Sequence, residues 1–558
     1  MSELAAPAPA EPRRARINAP PLGVLGWSAL AIAVLVGLPI AVVVSQVFTP
    51  GESSWSHLVH TVLPGYIANT LGLMVGVTAG VASMGVLSAW LVTAYRFPGQ
   101  RVLEWALLLP LAMPAYVMAY AYTDWLQFAG PVQSALRELT GWQVREYWFP
   151  DIRSLSGAIA MFSFALYPYV YLLARTAFLN QSRAALEAGR LLGYGRWGSF
   201  FRVALPLARP AIAAGVALAL METLADFGTV SYFAVQTFTT GIFRAWQSLQ
   251  DKVAAAQLAT CLLGFVALVL LVERLSRGRA RYHNTSSRAS LPPQRLRGAA
   301  AALACAACAA PIVFGFLLPA GILLKLALTE PEAQWSARIG ALAFNSFTLA
   351  GVTAAVTVGF ATVLAYAGRL TKRPLVAFAN RAAGLGYAMP GAVIAVGILF
   401  PLGRLDNLLA DWVHAQFGVR MGLLLTGTIV ALVYAYLVRF LAIALQSMDA
   451  GLARITPSME DAARSLGATP AATLARVHAP MLSGSLLTAA LLVFVDVMKE
   501  LPATFALRPF NFDTLAIEAY NLTKDERLAE AATPALLIVA VGLIPLIVVS
   551  LRIARERR

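Results

Sequence analysis

The apolar run from Leu220 to Gly228 carries Glu222 and Asp226, and the run from Val495 to Pro502 carries Asp496 and Glu500. Acids inside apolar segments are costly and usually face a bundle interior or an aqueous cavity. Each pair is four residues apart, so on one continuous helix both side chains share a face. Carboxylate oxygens suit hard, highly charged cations. The chemistry offered is passage of a cation along a path lined by Glu222, Asp226, Asp496 and Glu500, with no firmly assigned metal site. Two simpler roles compete: Lys499 is placed to neutralise one acid, and a pair near the outer end of its segment would simply be solvated.

Covalent chemistry finds no support. Neither a H-E-x-x-H nor a Ser/His arrangement occurs, the five histidines are scattered, and His478 beside Pro480 reads as a connector residue. Cys305 and Cys308 form a C-x-x-C in an Ala-rich run without a histidine or a second pair, which reads as packing. No Gly-Lys dipeptide occurs, so the chain lacks the phosphate-cradling G-x-x-x-x-G-K-[ST] loop. Catalytic residues and cofactors are expected to be absent from this chain.

The elements that position these acids follow from composition. Of 558 residues 59% are hydrophobic and only 13% charged, against about 25% charged in soluble domains. About 20 apolar helical residues span the hydrocarbon of a bilayer. Twelve runs qualify: 22–47, 66–94, 102–123, 156–179, 209–233, 254–272, 299–326, 345–367, 378–402, 423–446, 483–507 and 533–553. An all-α integral membrane protein is predicted, with both termini on one side. Its net charge of +15 concentrates on the segments that share the N-terminal side, whereas the opposite loops are slightly acidic. That is the positive-inside pattern and puts both termini in the cytoplasm; a nucleic-acid role is excluded by the same reading. Residues 1–21, Ala/Pro-rich with Arg13, Arg14 and Arg16, read as a disordered cytoplasmic tail ahead of a retained first helix.

The sequence repeats itself. Glu187 to Gly193 with Pro206 recurs as Asp461 to Gly467 with Pro480 at a separation of 274 residues, and Glu222 and Asp226 recur as Asp496 and Glu500 at the same separation. Asn69 matches Asn345, and Met113-Pro114 matches Met389-Pro390, both 276 apart. Two parallel six-helix repeats result. The first module covers 22–273 with a core of about 66–272; a basic cytoplasmic linker covers 274–298; the second module covers 299–553 with a core of about 345–551; and a short cytoplasmic tail covers 554–558.

The loop between the fourth and fifth span of each module is the most specific signal. Glu187, Ala188 and Gly189 are expected to open a short helix whose small residues let another backbone approach, with the acid at its N-terminal end. Gly193 would close it in a left-handed turn, and Pro206 and Pro480 would stop it before the next span. In the second copy Asp461, Ala462, Ala463 and Gly467 keep the spacing, while Ala479 replaces the leucine before the proline.

This loop resembles the coupling signature of permeases in binding-protein-dependent ABC importers. The resemblance implies a type I importer permease of MetI-like fold, with each loop docked in a groove of an ATPase subunit. Two such subunits would hold the ATP and Mg2+, and a soluble substrate-binding protein would deliver cargo. The stretches 109–125, 222–233 and 497–516 further resemble ferric iron transport permeases, and the likeness runs from about Tyr66 to Leu551. Thiamine, polyamine, phosphonate and sulfate permeases share this ancestry. The expected function is ferric iron import across a bacterial inner membrane. A thiamine or other small cationic solute importer is the alternative, and an ion-coupled secondary transporter a remote one.

Overall fold

The computed structural model describes residues 23–49, 55–143, 146–181, 191, 194–277, 294–331, 336–371, 373–420 and 422–556. Glu187, Ala188, Gly189 and Gly193 of the first loop, the 1–21 tail and most of the linker lie outside them. The first half contributes α1 (Val24–Gln46), α2 (Leu63–Ala94), α3 (Ala115–Leu126), α4 (Leu155–Leu179), α5 (Leu205–Ala225) and α6 (Lys252–Arg277). The second contributes α7 (Gly298–Thr329), α8 (Ala337–Leu370), α9 (Gly391–Phe417), α10 (Val430–Leu452), α11 (Ala479–Met498) and α12 (Leu528–Glu556). Among the described residues eleven helices are long and apolar enough to cross a membrane, and a bent pair, Gln100–Ala112 with Ala115–Thr140, brings the number to twelve.

That bend of 92° corrects the expectation of an unbroken third span. Met113 is extended, as a residue before proline is biased to be, and Pro114 begins α3 with φ −59° and ψ 141°. Pro390 repeats the geometry at the start of α9, with φ −59° and ψ 139°, and interrupts the third span of the second half in the same way. The repeat extends to side chains. Asn69 Nδ2 donates to the Gln236 carbonyl at 2.8 Å, and Asn345 Nδ2 donates to that of Asp513 at 3.1 Å.

Pro206 and Pro480 do not stop a helix. The chain runs helically from Trp197 through Ala225 and from Arg476 through Met498. A proline ring crowds the carbonyl one turn back and has no N–H to offer it. Here the preceding turns, Phe200–Ala204 and Leu474–His478, widen to π geometry, which absorbs both faults.

The first helix of each half packs on the other half. α1 lies against α8 and α9 as well as α6, and α7 lies against α2, α3 and α4 as well as α12. Tyr434 donates its hydroxyl hydrogen to the Leu35 carbonyl of α1, and Tyr122 donates to the Phe314 carbonyl of α7, each at 2.6 Å. Outside the helices, Tyr95–Arg96 pairs in parallel with Gln294–Arg295, a strand pair that the sequence reading did not contain. It fastens the end of the linker to the exit of α2.

Candidate translocation site

α5 ends at Ala225, Asp226 is extended at φ −70° and ψ 139°, and a new helix begins at Gly228. Asp226 Oδ1 accepts from the amide of Thr229 at 2.8 Å and that of Val230 at 3.3 Å. The second half does the same. α11 ends at Met498, and Glu500 accepts from the amides of Ala503 at 3.0 Å and Thr504 at 3.1 Å, capping the helix Pro502–Leu507. The four-residue spacing therefore does not put each pair on one helix face, because each span ends between its two acids, at Ala225 and at Met498. Glu222 and Asp496 stay on the spans, while Asp226 and Glu500 serve as anionic caps where exposed N–H groups favour negative charge.

The breaks nevertheless bring all four acids together. Glu222, Asp226, Asp496 and Glu500 border one cavity of about 100 Å³, together with Arg439 and Lys499. Lys499 Nζ lies 2.8 Å from Asp496 Oδ1, so the lysine does neutralise an acid. Arg439, on α10, was not singled out by sequence. Its Nη1 lies 3.1 Å from Glu500 Oε1 and its Nη2 lies 3.9 Å from Glu222 Oε2. Glu222 Oε1 also accepts from the hydroxyl of Tyr387 at 3.0 Å. A lone arginine in the apolar run of α10 was the signal available, since intramembrane bases are as costly as acids. For Tyr387 the sequence held no signal beyond its place just before Met389-Pro390.

Attraction between unit charges at 4 Å is about 4 kcal/mol at an effective dielectric constant of 20. Desolvation offsets most of it for side chains as buried as Arg439, at 9% exposure, and Glu500, at 3%. The pairs thus place charge more than they add stability. Beyond them a second cavity of about 320 Å³ shares Tyr169, Asp496 and Lys499 with the first and reaches the ion pair of Glu104 with Arg175. Arg175 sits near the end of α4 that leads into the first loop. Among the described residues no three His, Cys, Asp or Glu side chains converge as a metal site.

The second loop carries a helix from Pro457 to Ser465. It opens four residues before Asp461, because Pro457 after Thr456 makes a good first helical residue. Asp461 is therefore not at the N-terminal end, which corrects the expected placement. Asp461 and Ala462 are exposed and Ala463 is half-buried. Gly467 has φ +78°, and the amide of Ala468 closes back on the Ala463 carbonyl at 3.0 Å, the left-handed helix end that favours glycine. Leu466 beside it is 88% exposed.

Comparison with known proteins decides the family. Residues 82–281 match the family described as binding-protein-dependent transport system inner membrane component. A probable molybdenum ABC transporter permease of Haloferax volcanii is 32% identical over 212 residues, covering 38% of this chain and 72% of that one. The chain belongs to this family. The permease also matches a Fe(3+)-transport system permease protein of Haemophilus influenzae, 26% identical over 537 residues, covering 93% of the permease and 97% of the relative. A sulfate transport system permease of Escherichia coli is 29% identical over 261 residues, covering 44% and 88%. The permease is thus an ABC importer permease, a transport subunit and not an enzyme, built as two fused parallel modules of MetI-like fold and passing the membrane many times. The family's name implies a substrate-binding protein, and the importer class implies ATPase partners.

Proposed function

We propose that this permease carries ferric iron into the cytoplasm of a bacterial cell, delivered at the outer mouth by a soluble binding protein. The observation that carries the cation reading is the charge of the central cavity, where four carboxylates face two bases and, among the described residues, Glu222 and Asp226 have no base from their own half. Iron in particular is supported by the end-to-end match, since the Fe(3+) relative aligns with both halves whereas the sulfate relative aligns over 44% of the chain. Both termini are assigned to the cytoplasm, which places the loops there too.

Two ATPase subunits are assigned to the two loops, one gripping Glu187, Ala188, Gly189 and Gly193, the other Asp461, Ala462, Ala463 and Gly467. ATP and Mg2+ are held in those subunits. Their closure moves the loop helices, and the continuous helices through Pro206 and Pro480 carry that movement to Glu222 and Asp496, rocking the halves between two access states. A second reading, an oxyanion cargo, draws on Arg439 and Lys499 beside the path and on the sulfate and molybdenum relatives. It is weaker because both bases are already paired with acids.

Reconstitution of the permease with its ATPase and binding protein separates these readings. Ferric iron is expected to stimulate ATP hydrolysis, and thiamine, sulfate and molybdate are not. Stimulation by one of those three without a response to iron would overturn the assignment of cargo.

A further inference from the structure

Glu222 belongs to the first half, but its two polar partners among the described residues, Tyr387 and Arg439, belong to the second. The other acids are held differently. Asp496 is paired with Lys499 three residues away, Glu500 with Arg439 of its own half, and Asp226 with the amides that it caps. Among the described residues Glu222 is therefore the one acid of the four whose side chain is tied across the halves. These ties are also graded. Arg439 sits closer to Glu500 than to Glu222, 3.1 Å against 3.9 Å, and its buried Nε donates to no acceptor among the described residues. The guanidinium is anchored in the second half and reaches toward the first with bonding capacity to spare.

The surroundings say which movement this arrangement resists. On the side of the cavity away from the loops the halves are in contact. Tyr116 donates to the Lys499 carbonyl at 3.3 Å, the hydroxyls of Ser231 and Tyr520 lie 3.0 Å apart, and Phe227 stacks on Phe505. On the loop side the path widens into the larger cavity. Opening away from the loops must therefore part the walls at Glu222.

We propose that Tyr387 and Arg439, by holding Glu222 across the path, form a latch between the halves that keeps the permease open toward the loops and must release in every transport cycle. The latch rests on the importer reading but not on the identity of the cargo. Breaking it stabilises the alternative state relative to the resting one, and in an ATP-driven importer that state is the one in which the ATPase subunits close. Loss of one hydrogen bond shifts such a two-state balance by about twofold to tenfold.

The test measures ATP hydrolysis by the assembled transporter in vesicles without binding protein or cargo. Tyr387→Phe and Glu222→Gln are each expected to raise this rate by about twofold to tenfold. Tyr434→Phe, which removes a hydrogen bond between the halves outside the cavity, that to the Leu35 carbonyl, is expected to leave it near the wild-type value. Unchanged rates in both latch variants would overturn the proposal. An equal rise in Tyr434→Phe would overturn it as well, since any lost hydrogen bond between the halves would then act alike. A wild-type assembly that hydrolyses no ATP would instead sink the importer reading, and the latch with it.

Discussion

Ala165 and Ala225 of the first half occupy the positions that Arg439 and Lys499 occupy in the second, at the 274-residue separation that also relates Glu222 to Asp496 and Asp226 to Glu500. All eight border the same cavity. Leu111 and Tyr387, 276 residues apart, differ in the same sense. The first half thus presents two acids on a bare wall, while the second presents two acids and their bases. A transporter assembled from two identical subunits would be confined to one wall or the other on both sides. Fusion of the modules allows them to diverge, and the residues that border this cavity have done so.

Gly391 shows how closely the second wall is fitted to its bases. A Cβ there would fall 2.5 Å from Glu500 Oε1 and 2.6 Å from Arg439 Nη1. Its counterpart in the first half, 276 residues earlier, is Ala115, where no arginine competes for the space.

The comparison can be broken most severely at the loops. Gly193→Trp combined with Gly467→Trp is expected to abolish transport and co-purification with the ATPase while the folded permease stays in the membrane. The two single variants then ask whether the halves are as equal there as they are unequal at the path. Normal transport by the double variant would remove the coupling role.

A smaller effect is expected from Arg439→Met, which strands Glu500 in a buried site. Thermal unfolding in detergent should show a loss of about 3–5 kcal/mol, and a loss below 1 kcal/mol would mean that Glu500 is not held by this arginine. Smaller again is Gly391→Ala. Crowding the ion pair should cost about 1–3 kcal/mol, whereas Ala115→Gly should cost no more than about 1 kcal/mol. Equal costs at the two positions would deny the asymmetry.

Much of the fold was legible because its signals are local. Twelve apolar runs and four landmarks per half marked the spans and the repeat, and the acids announced themselves by standing in apolar sequence. The breaks were harder to read. Met113-Pro114 and Met389-Pro390 served as alignment markers although the proline chemistry that makes them breaks was present, and Pro206 and Pro480 look no different in sequence yet lie within continuous helices because a π turn precedes each. Arg439 was visible as a lone base, but its double attachment to Glu500 and Glu222 joins residues on separate elements, which spacing along the chain cannot convey. The placement of α1 and α7 was beyond reach for another reason. A helix apolar on all sides has no preferred face, so periodicity names no partner for it.

The crossing of α1 over to α8 and α9 has a bearing on biogenesis. The ribosome completes α1 long before α9 exists, and at about 5–20 residues per second the delay is on the order of tens of seconds. Throughout that time the earliest helix must wait in lipid without its final neighbours, so the bundle closes only when the last third of the polypeptide arrives to clasp it.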